Sequence, residues 1–240
     1  MRIITWNCNG HFADNYLTLI RRYNPDLLII TECENPLTSK DKTYRDFAGK
    51  NNYQWTGQYQ NNGLAVFSKK AITLTPLTLP AAGHENILTI NINGQLDLIA
   101  ACLTDPKNDN LIDYLTLNEQ NITPNTIITC DLTPAPAPDT TPTPDTIPSV
   151  KTPIDILTHL QTKALTSAYH HYTNQEPGKE TIPTCYLNRD LTRPLHTDYI
   201  FLAPDRLKWL EIGRTSEWIN KTNPHGSDHL PLVIDIDTEQ

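Results

Sequence analysis

The chain opens on Ile3-Ile4-Thr5-Trp6-Asn7-Cys8-Asn9-Gly10, an apolar run that stops abruptly at two asparagines and a glycine. Such a run reads as a buried strand, and the Asn-X-Asn-Gly end as a tight turn displaying polar side chains where the strand finishes. The pattern recurs in Leu28-Ile29-Ile30-Thr31-Glu32 and in Ile127-Ile128-Thr129-Cys130-Asp131. It appears reversed in Ser227-Asp228-His229, which precedes the apolar run Leu232–Ile236. A fifth segment, His196-Thr197-Asp198-Tyr199-Ile200-Phe201, sets an acid inside an apolar strand. Strands ending together in a sheet gather such residues at one edge, however distant they are along the chain. Buried carboxylates are costly unless paired, hydrogen-bonded or bound to a cation, and several together raise one another's pKa. Oxygen-rich ligands with no cysteine–histidine cluster point to Mg²⁺ or Mn²⁺.

The 240 residues fit one domain, and the net charge of −8 argues against a broad basic face gripping many phosphates. Apolar runs are strand-sized, so no membrane span is expected. Met1-Arg2 leads directly into a strand, so no leader is expected either. Five scattered cysteines, 8, 33, 102, 130 and 185, form no CxxC pair; they read as buried, reduced thiols of a cytoplasmic protein.

Strands are expected over Arg2–Trp6, Leu27–Thr31, Gly63–Ser68, Ile72–Leu79, Leu88–Ile92, Leu96–Leu103, Thr126–Thr129, Thr197–Leu202 and Leu232–Ile236. Asn93-Gly94 joins two of them as a hairpin. One helix carries Ala13, Tyr16, Leu17 and Ile20 and ends before Pro25. A second carries Leu111, Ile112 and Leu115, and a third starts at Thr152-Pro153. The stretch Thr133–Pro148 is too rich in proline for sheet or helix and reads as a surface loop within the single domain.

In their order, Trp6-Asn7-X-Asn9-Gly10, Thr31-Glu32, Asp131, Asp198-Tyr199 and Gly226-Ser227-Asp228-His229-Leu230-Pro231 resemble the DNase I-like endonuclease/exonuclease/phosphatase superfamily. The stretch Asn62-Gly63-Leu64-Ala65-Val66-Phe67-Ser68 is similar to that family's hairpin after the glutamate. The resemblance runs from residue 1 to about 237. It implies a four-layer α/β sandwich, with two mixed, mostly antiparallel β-sheets face to face and helices outside. Carried over by position, Glu32 would be the main ligand of Mg²⁺ or Mn²⁺, with Asn9 and Asp228 beside it. Asn7 would bind a phosphate oxygen or position Asp131, and Asp131 would deprotonate the attacking water. His229 would donate to the phosphate, with Asp198 holding its imidazole. The implied activity is hydrolysis of phosphodiesters in DNA or RNA, with nucleic acid as partner over a small footprint and no obligatory protein partner. A phosphatase acting on a small or lipid-derived phosphate and a degenerate binding module are the alternatives.

The sequence departs from the family at two places. Cys130-Asp131-Leu132-Thr133 stands where Gly-Asp-Phe/Leu-Asn is usual, so Thr133 is the substrate-side candidate with fewer hydrogen-bonding groups. Ala101-Cys102-Leu103-Thr104-Asp105 lacks the histidine or tyrosine many members carry. Arg189 and Tyr199 are further candidates for substrate contact. His11, following Gly10, is a candidate for phosphate contact, and His170-His171 reads as loop or strand rather than a metal site.

Overall fold

The computed structural model describes residues 1–59, 62–80, 86–102, 111–132, 153–219 and 223–239. In chain order the first half contains β1 (Arg2–Asn7), α1 (Phe12–Tyr23), β2 (Leu27–Cys33), α2 (Lys42–Lys50), β3 (Asn52–Tyr59) and β4 (Asn62–Ser68). Next come β5 (Leu74–Pro76), β6 (Ile87–Ile92), β7 (Leu96–Cys102), α3 (Leu111–Leu117) and β8 (Thr126–Asp131). The last part holds α4 (Pro153–Gln161), β9 (Thr166–Ser167), α5 (Ala168–Thr173), β10 (Cys185–Tyr186) and β11 (Pro194–Leu195). It closes with β12 (Asp198–Leu202), β13 (Leu207–Ile212), α6 (Thr215–Trp218) and β14 (Leu232–Ile236).

Two six-stranded sheets result, ordered β13-β14-β1-β2-β4-β3 and β5-β6-β7-β8-β12-β9. Each is mixed: β1 and β2 pair in parallel, as do β7 and β8, and the neighbouring pairs are antiparallel. Strand alternation sorts side chains between two faces. Ile3, Leu27, Ile29 and Val66 from one sheet meet Leu98, Ile127, Ile200 and Leu202 from the other in a shared core. The opposite faces are covered by helices. Ile4, Trp6, Leu28 and Ile30 pack with Phe12, Tyr16 and Tyr44 of α1 and α2, while Ile99, Ile128, Tyr199 and Phe201 pack with Leu111, Leu115, Leu157 and Leu160 of α3 and α4. This is a four-layer sandwich of helices, sheet, sheet and helices. Among the described residues no helix is long and apolar enough to cross a membrane.

Central strands match expectation closely, and the differences fall elsewhere. The strand expected over Ile72–Leu79 shrinks to Leu74–Pro76, because Pro76 has no N–H to donate to a ladder. Of the face expected for α1, Tyr16 is buried, but Phe12, Leu19 and Tyr23 join it in place of Ala13, Leu17 and Ile20, and Leu17 is 45% exposed. It ends at Asn24, whose left-handed backbone (φ 46°) caps it one residue before Pro25. His170 and His171 lie on helix α5, not on a strand or loop, and His170 is buried with Nε2 2.9 Å from Glu180 Oε1. All five cysteines are free and buried. The proline-rich stretch Thr133–Pro148, with Leu103, Thr104 and Asp105, lies outside the described residues.

Candidate active site

The parallel pair β1/β2 and the antiparallel pair β8/β12 deliver their polar ends to one edge of the sandwich. Asn7 aligns with Thr31 across β1/β2, and Asp131 with Asp198 across β8/β12. Asn7, Asp131 and Asp198 share the parity of Ile3, Ile127 and Ile200, so alternation sends them to the face between the sheets. Tyr199, one position on, goes to the opposite face. It is 3% exposed, packs against Phe201, and its hydroxyl donates to the His196 carbonyl at 3.2 Å. The expected substrate contact at Tyr199 is therefore replaced by a packing role beneath α3 and α4.

Glu32 would follow Leu28 and Ile30 to the helix side if β2 continued regularly. It does not, because the pairing of β2 with β4 steps from Ile30↔Ala65 to Cys33↔Gly63, an extra residue on β2. Glu32 sits in that bulge at φ 51°, which turns its side chain back toward Asn7. Gly63 opposite the bulge is required sterically: a Cβ there would lie 2.4 Å from the Trp55 ring, whose Nε1 donates to the Cys33 carbonyl at 3.1 Å.

Asn7 is 3% exposed and joins the two sheets. Its Nδ2 donates to Glu32 Oε1 and to Asp131 Oδ2, both at 2.8 Å, while its Oδ1 accepts from the Asn9 N–H at 2.9 Å. Both of its acceptors are carboxylates, which fixes the amide orientation and uses every side-chain donor. An aspartate here would face two carboxylates with nothing to donate.

His229 is held from three sides. Its Nδ1 lies 2.9 Å from Asp198 Oδ2, its N–H donates to Ser227 Oγ at 2.9 Å, and its carbonyl accepts from Trp6 Nε1 at 2.9 Å. Ser227 Oγ in turn donates to the Asn7 carbonyl at 2.7 Å, tying this loop to the end of β1. Asp198 Oδ2 also accepts from the Thr197 hydroxyl at 2.9 Å, and its N–H donates to Thr184 Oγ1 at 3.0 Å. With Nδ1 committed, Nε2 points between Asp131 Oδ2 at 3.9 Å and Asp228 Oδ1 at 4.0 Å. Both gaps are too long for direct hydrogen bonds and leave space for an intervening oxygen. Burial opposes a charge on His229, but the carboxylates of Asp198 and Asp131 outweigh it and hold the imidazole pKa well above its ordinary value.

Asp228 is half-buried and its Oδ2 accepts from the Asn188 N–H at 3.1 Å. Asn9 is exposed at the rim with φ 51°. Among the described residues the acid and imidazole groups that converge in threes are Asp131–Asp198–His229 and, apart from it, His11–Asp14–His225. Glu32 and Asp228 belong to neither. The donor chemistry nonetheless suits a hard cation: Glu32, Asp131, Asp198 and Asp228 are four carboxylates served by one imidazole. The Arg189 guanidinium donates to the Asn223 carbonyl at 2.6 Å, in the loop before Ser227. Thr133 lies outside the described residues.

Sequence reading missed Glu34, which is 8% exposed and accepts from the N–H groups of Phe12 and Ala13 at 2.9 and 3.2 Å. It caps α1 from the loop just after β2, and His11 at the N-cap makes no side-chain cap bond. A local capping motif carries no trace of a partner 22 residues away. Thr184, which receives both the Thr197 and Asp198 N–H groups, was equally invisible for the same reason.

Residues 4–121 match the model of the Endonuclease/Exonuclease/phosphatase family. The fold is similar to an AP endonuclease from Archaeoglobus fulgidus, at 17% identity and a TM-score of 0.69 over 99% of both chains. It is similar to the 3′ phosphatase NExo from Neisseria bound to a product DNA hairpin, at 18% identity and a TM-score of 0.66 over 99% of both chains. A D. rerio TDP2 complexed with single-strand DNA product shares the fold at 12% identity and a TM-score of 0.62, again over 99% of both chains. No curated protein matches the sequence. The two-sheet sandwich and the full-length structural correspondence agree that this chain has the fold of these proteins, and its residues 4–121 are similar to the Endonuclease/Exonuclease/phosphatase family.

Proposed function

We propose that the protein is a divalent-metal-dependent phosphoesterase that hydrolyses phosphodiester bonds of nucleic acid. The observation that carries this reading is the continuous polar chain Asp198–His229 and Asp131–Asn7–Glu32, which joins both sheets through 2.8–2.9 Å hydrogen bonds and one 3.9 Å gap. In the proposed cycle Asp131, fixed by Asn7, accepts the proton of the attacking water. His229, with Nδ1 locked on Asp198, donates through Nε2 to a phosphoryl oxygen seated in the gap. Glu32, Asp228 and Asn9 would hold Mg²⁺ or Mn²⁺, which when bound supplies Lewis-acid stabilisation of charge on the phosphoryl oxygens. Asn7 contributes by keeping two like-charged carboxylates apart from each other on one amide. We place the chain in the cytoplasm, as one domain, because its five buried thiols suit a reducing compartment.

The test is hydrolysis of single-stranded DNA, duplex DNA, RNA and small phosphomonoesters, in Mg²⁺, in Mn²⁺ and in EDTA. The reading expects metal-dependent cleavage of a nucleic acid with a shallow salt dependence, because the acidic chain offers few phosphate contacts. Turnover of small phosphomonoesters alone would replace it by the phosphatase reading. No hydrolysis with either metal would overturn it in favour of a binding module.

A further inference from the structure

His11, Asp14 and His225 form a second cluster outside the pocket described above. Three lone-pair atoms converge there from parts of the chain more than 200 residues apart. His11 Nδ1 and His225 Nδ1 are 3.2 Å apart, His225 Nδ1 is 3.2 Å from Asp14 Oδ2, and His11 Nδ1 is 3.5 Å from the same oxygen. One shared proton satisfies only one of these contacts. A tetrahedral Zn²⁺ with ligands at 2.0–2.1 Å has ligand-to-ligand edges of about 3.3–3.4 Å, and the three separations straddle that value. The backbone is already set for it: Asn15 Nδ2 donates to the carbonyls of both His11 and His225 at 2.8 Å, so one amide holds both ligand-bearing segments. The positive end of α1 would repel a cation, but the Glu34 carboxylate occupies its first N–H groups and Asp14 adds a second negative charge in the first turn.

We propose that His11, Asp14 and His225 bind a borderline transition-metal ion of the Zn²⁺ class, with the fourth position open to water. Two imidazoles and one carboxylate are a ligand set for such an ion rather than for Mg²⁺, which separates this site chemically from the oxygen-lined pocket. The metal acts as a clamp. His11 follows Asn9-Gly10, and His225 precedes Ser227-Asp228-His229, so one ion joins the two loops that flank the pocket. The inference does not rest on the hydrolytic reading and stands or falls without it.

The experiment titrates Zn²⁺ alone into full-length, EDTA-stripped protein in millimolar Mg²⁺, by calorimetry, and repeats it with Co²⁺ by visible absorption. The expected result is one equivalent bound, with a four-coordinate Co²⁺ spectrum. His11→Ala and His225→Ala should each weaken Zn²⁺ binding roughly tenfold or more, while Glu32→Gln should not. Melting temperatures in EDTA are measured alongside; if a histidine variant melts lower than wild type, Asp14→Asn is read in its place. Absence of Zn²⁺ binding, a six-coordinate Co²⁺ spectrum, or unchanged affinity in a variant that melts like wild type would each overturn the site.

Discussion

The two ends of β1 hold their acids under opposite regimes. At its start, Arg2 grips Asp235 through two bonds of 2.8 and 2.7 Å and donates to the Tyr23 carbonyl at 2.8 Å. Asp26 beside it accepts from the Arg2 N–H at 2.8 Å and from Lys69 Nζ at 2.7 Å. Each carboxylate there has its own cation. At the end of β1, five residues away, four carboxylates share one imidazole and one amide. The first end is arranged as an anchor between β1, β2 and β14. The second keeps unbalanced negative charge in a largely buried place, a cost that a packed core alone would not retain. Substitutions at the two ends should therefore separate stability from activity.

The largest expected effect is at His229. His229→Ala removes the donor in the gap and should lower turnover by roughly 10³-fold, with the fold retained by circular dichroism. Asp198→Asn leaves the imidazole in place but frees its tautomer, and turnover should fall by about 10²-fold or more, measured under single-turnover conditions. At the other end, Arg2→Met should cost about 1–3 kcal/mol of stability in urea unfolding and leave turnover unchanged. Equal loss of activity from Arg2→Met would break the comparison. Smallest is the pH effect of Asp26. Burial works against its charge, but Lys69 and the Arg2 N–H outweigh it and lower its pKa below the ordinary 3.8. The stability this contributes is fully present above the unfolded-state value and is lost as pH falls through the folded one. Asp26→Asn should therefore lower stability at pH 7 slightly and flatten the acid limb below about pH 4, the two proteins converging at low pH.

The same contrast explains what could be read from sequence. Central strands such as β1, β2, β8 and β14 are buried on both faces and appear as unbroken apolar runs, so their polar ends, Asn7, Glu32, Asp131 and Asp228-His229, stand out. Of the strands not foreseen, β3, β9 and β13 are at the edges of the large sheets, and the two-residue β10 and β11 pair with each other in a sheet of their own. β3 is half-buried from Asn52 to Gly57, and β13 mixes Lys208 and Glu211 with Leu210, so neither shows clean alternation. Geometry produced by the third dimension was also hidden. Nothing local marks the bulge at Glu32, the trans cap from Glu34, or the meeting of His11 with His225. Tyr199 was misread for a simpler reason: it adjoins Asp198, and adjacent strand residues face opposite ways.

The central claim is that the unbalanced charge at the end of β1 is held there for a divalent cation. Thermal unfolding of wild type and Glu32→Gln, each with and without Mg²⁺, tests it most directly. Without metal, Glu32→Gln relieves carboxylate repulsion and should melt at or above the wild-type temperature; with Mg²⁺ the wild type should rise and the variant should gain little. A variant that melts below wild type without metal, yet responds to Mg²⁺ as strongly as wild type does, would contradict the account.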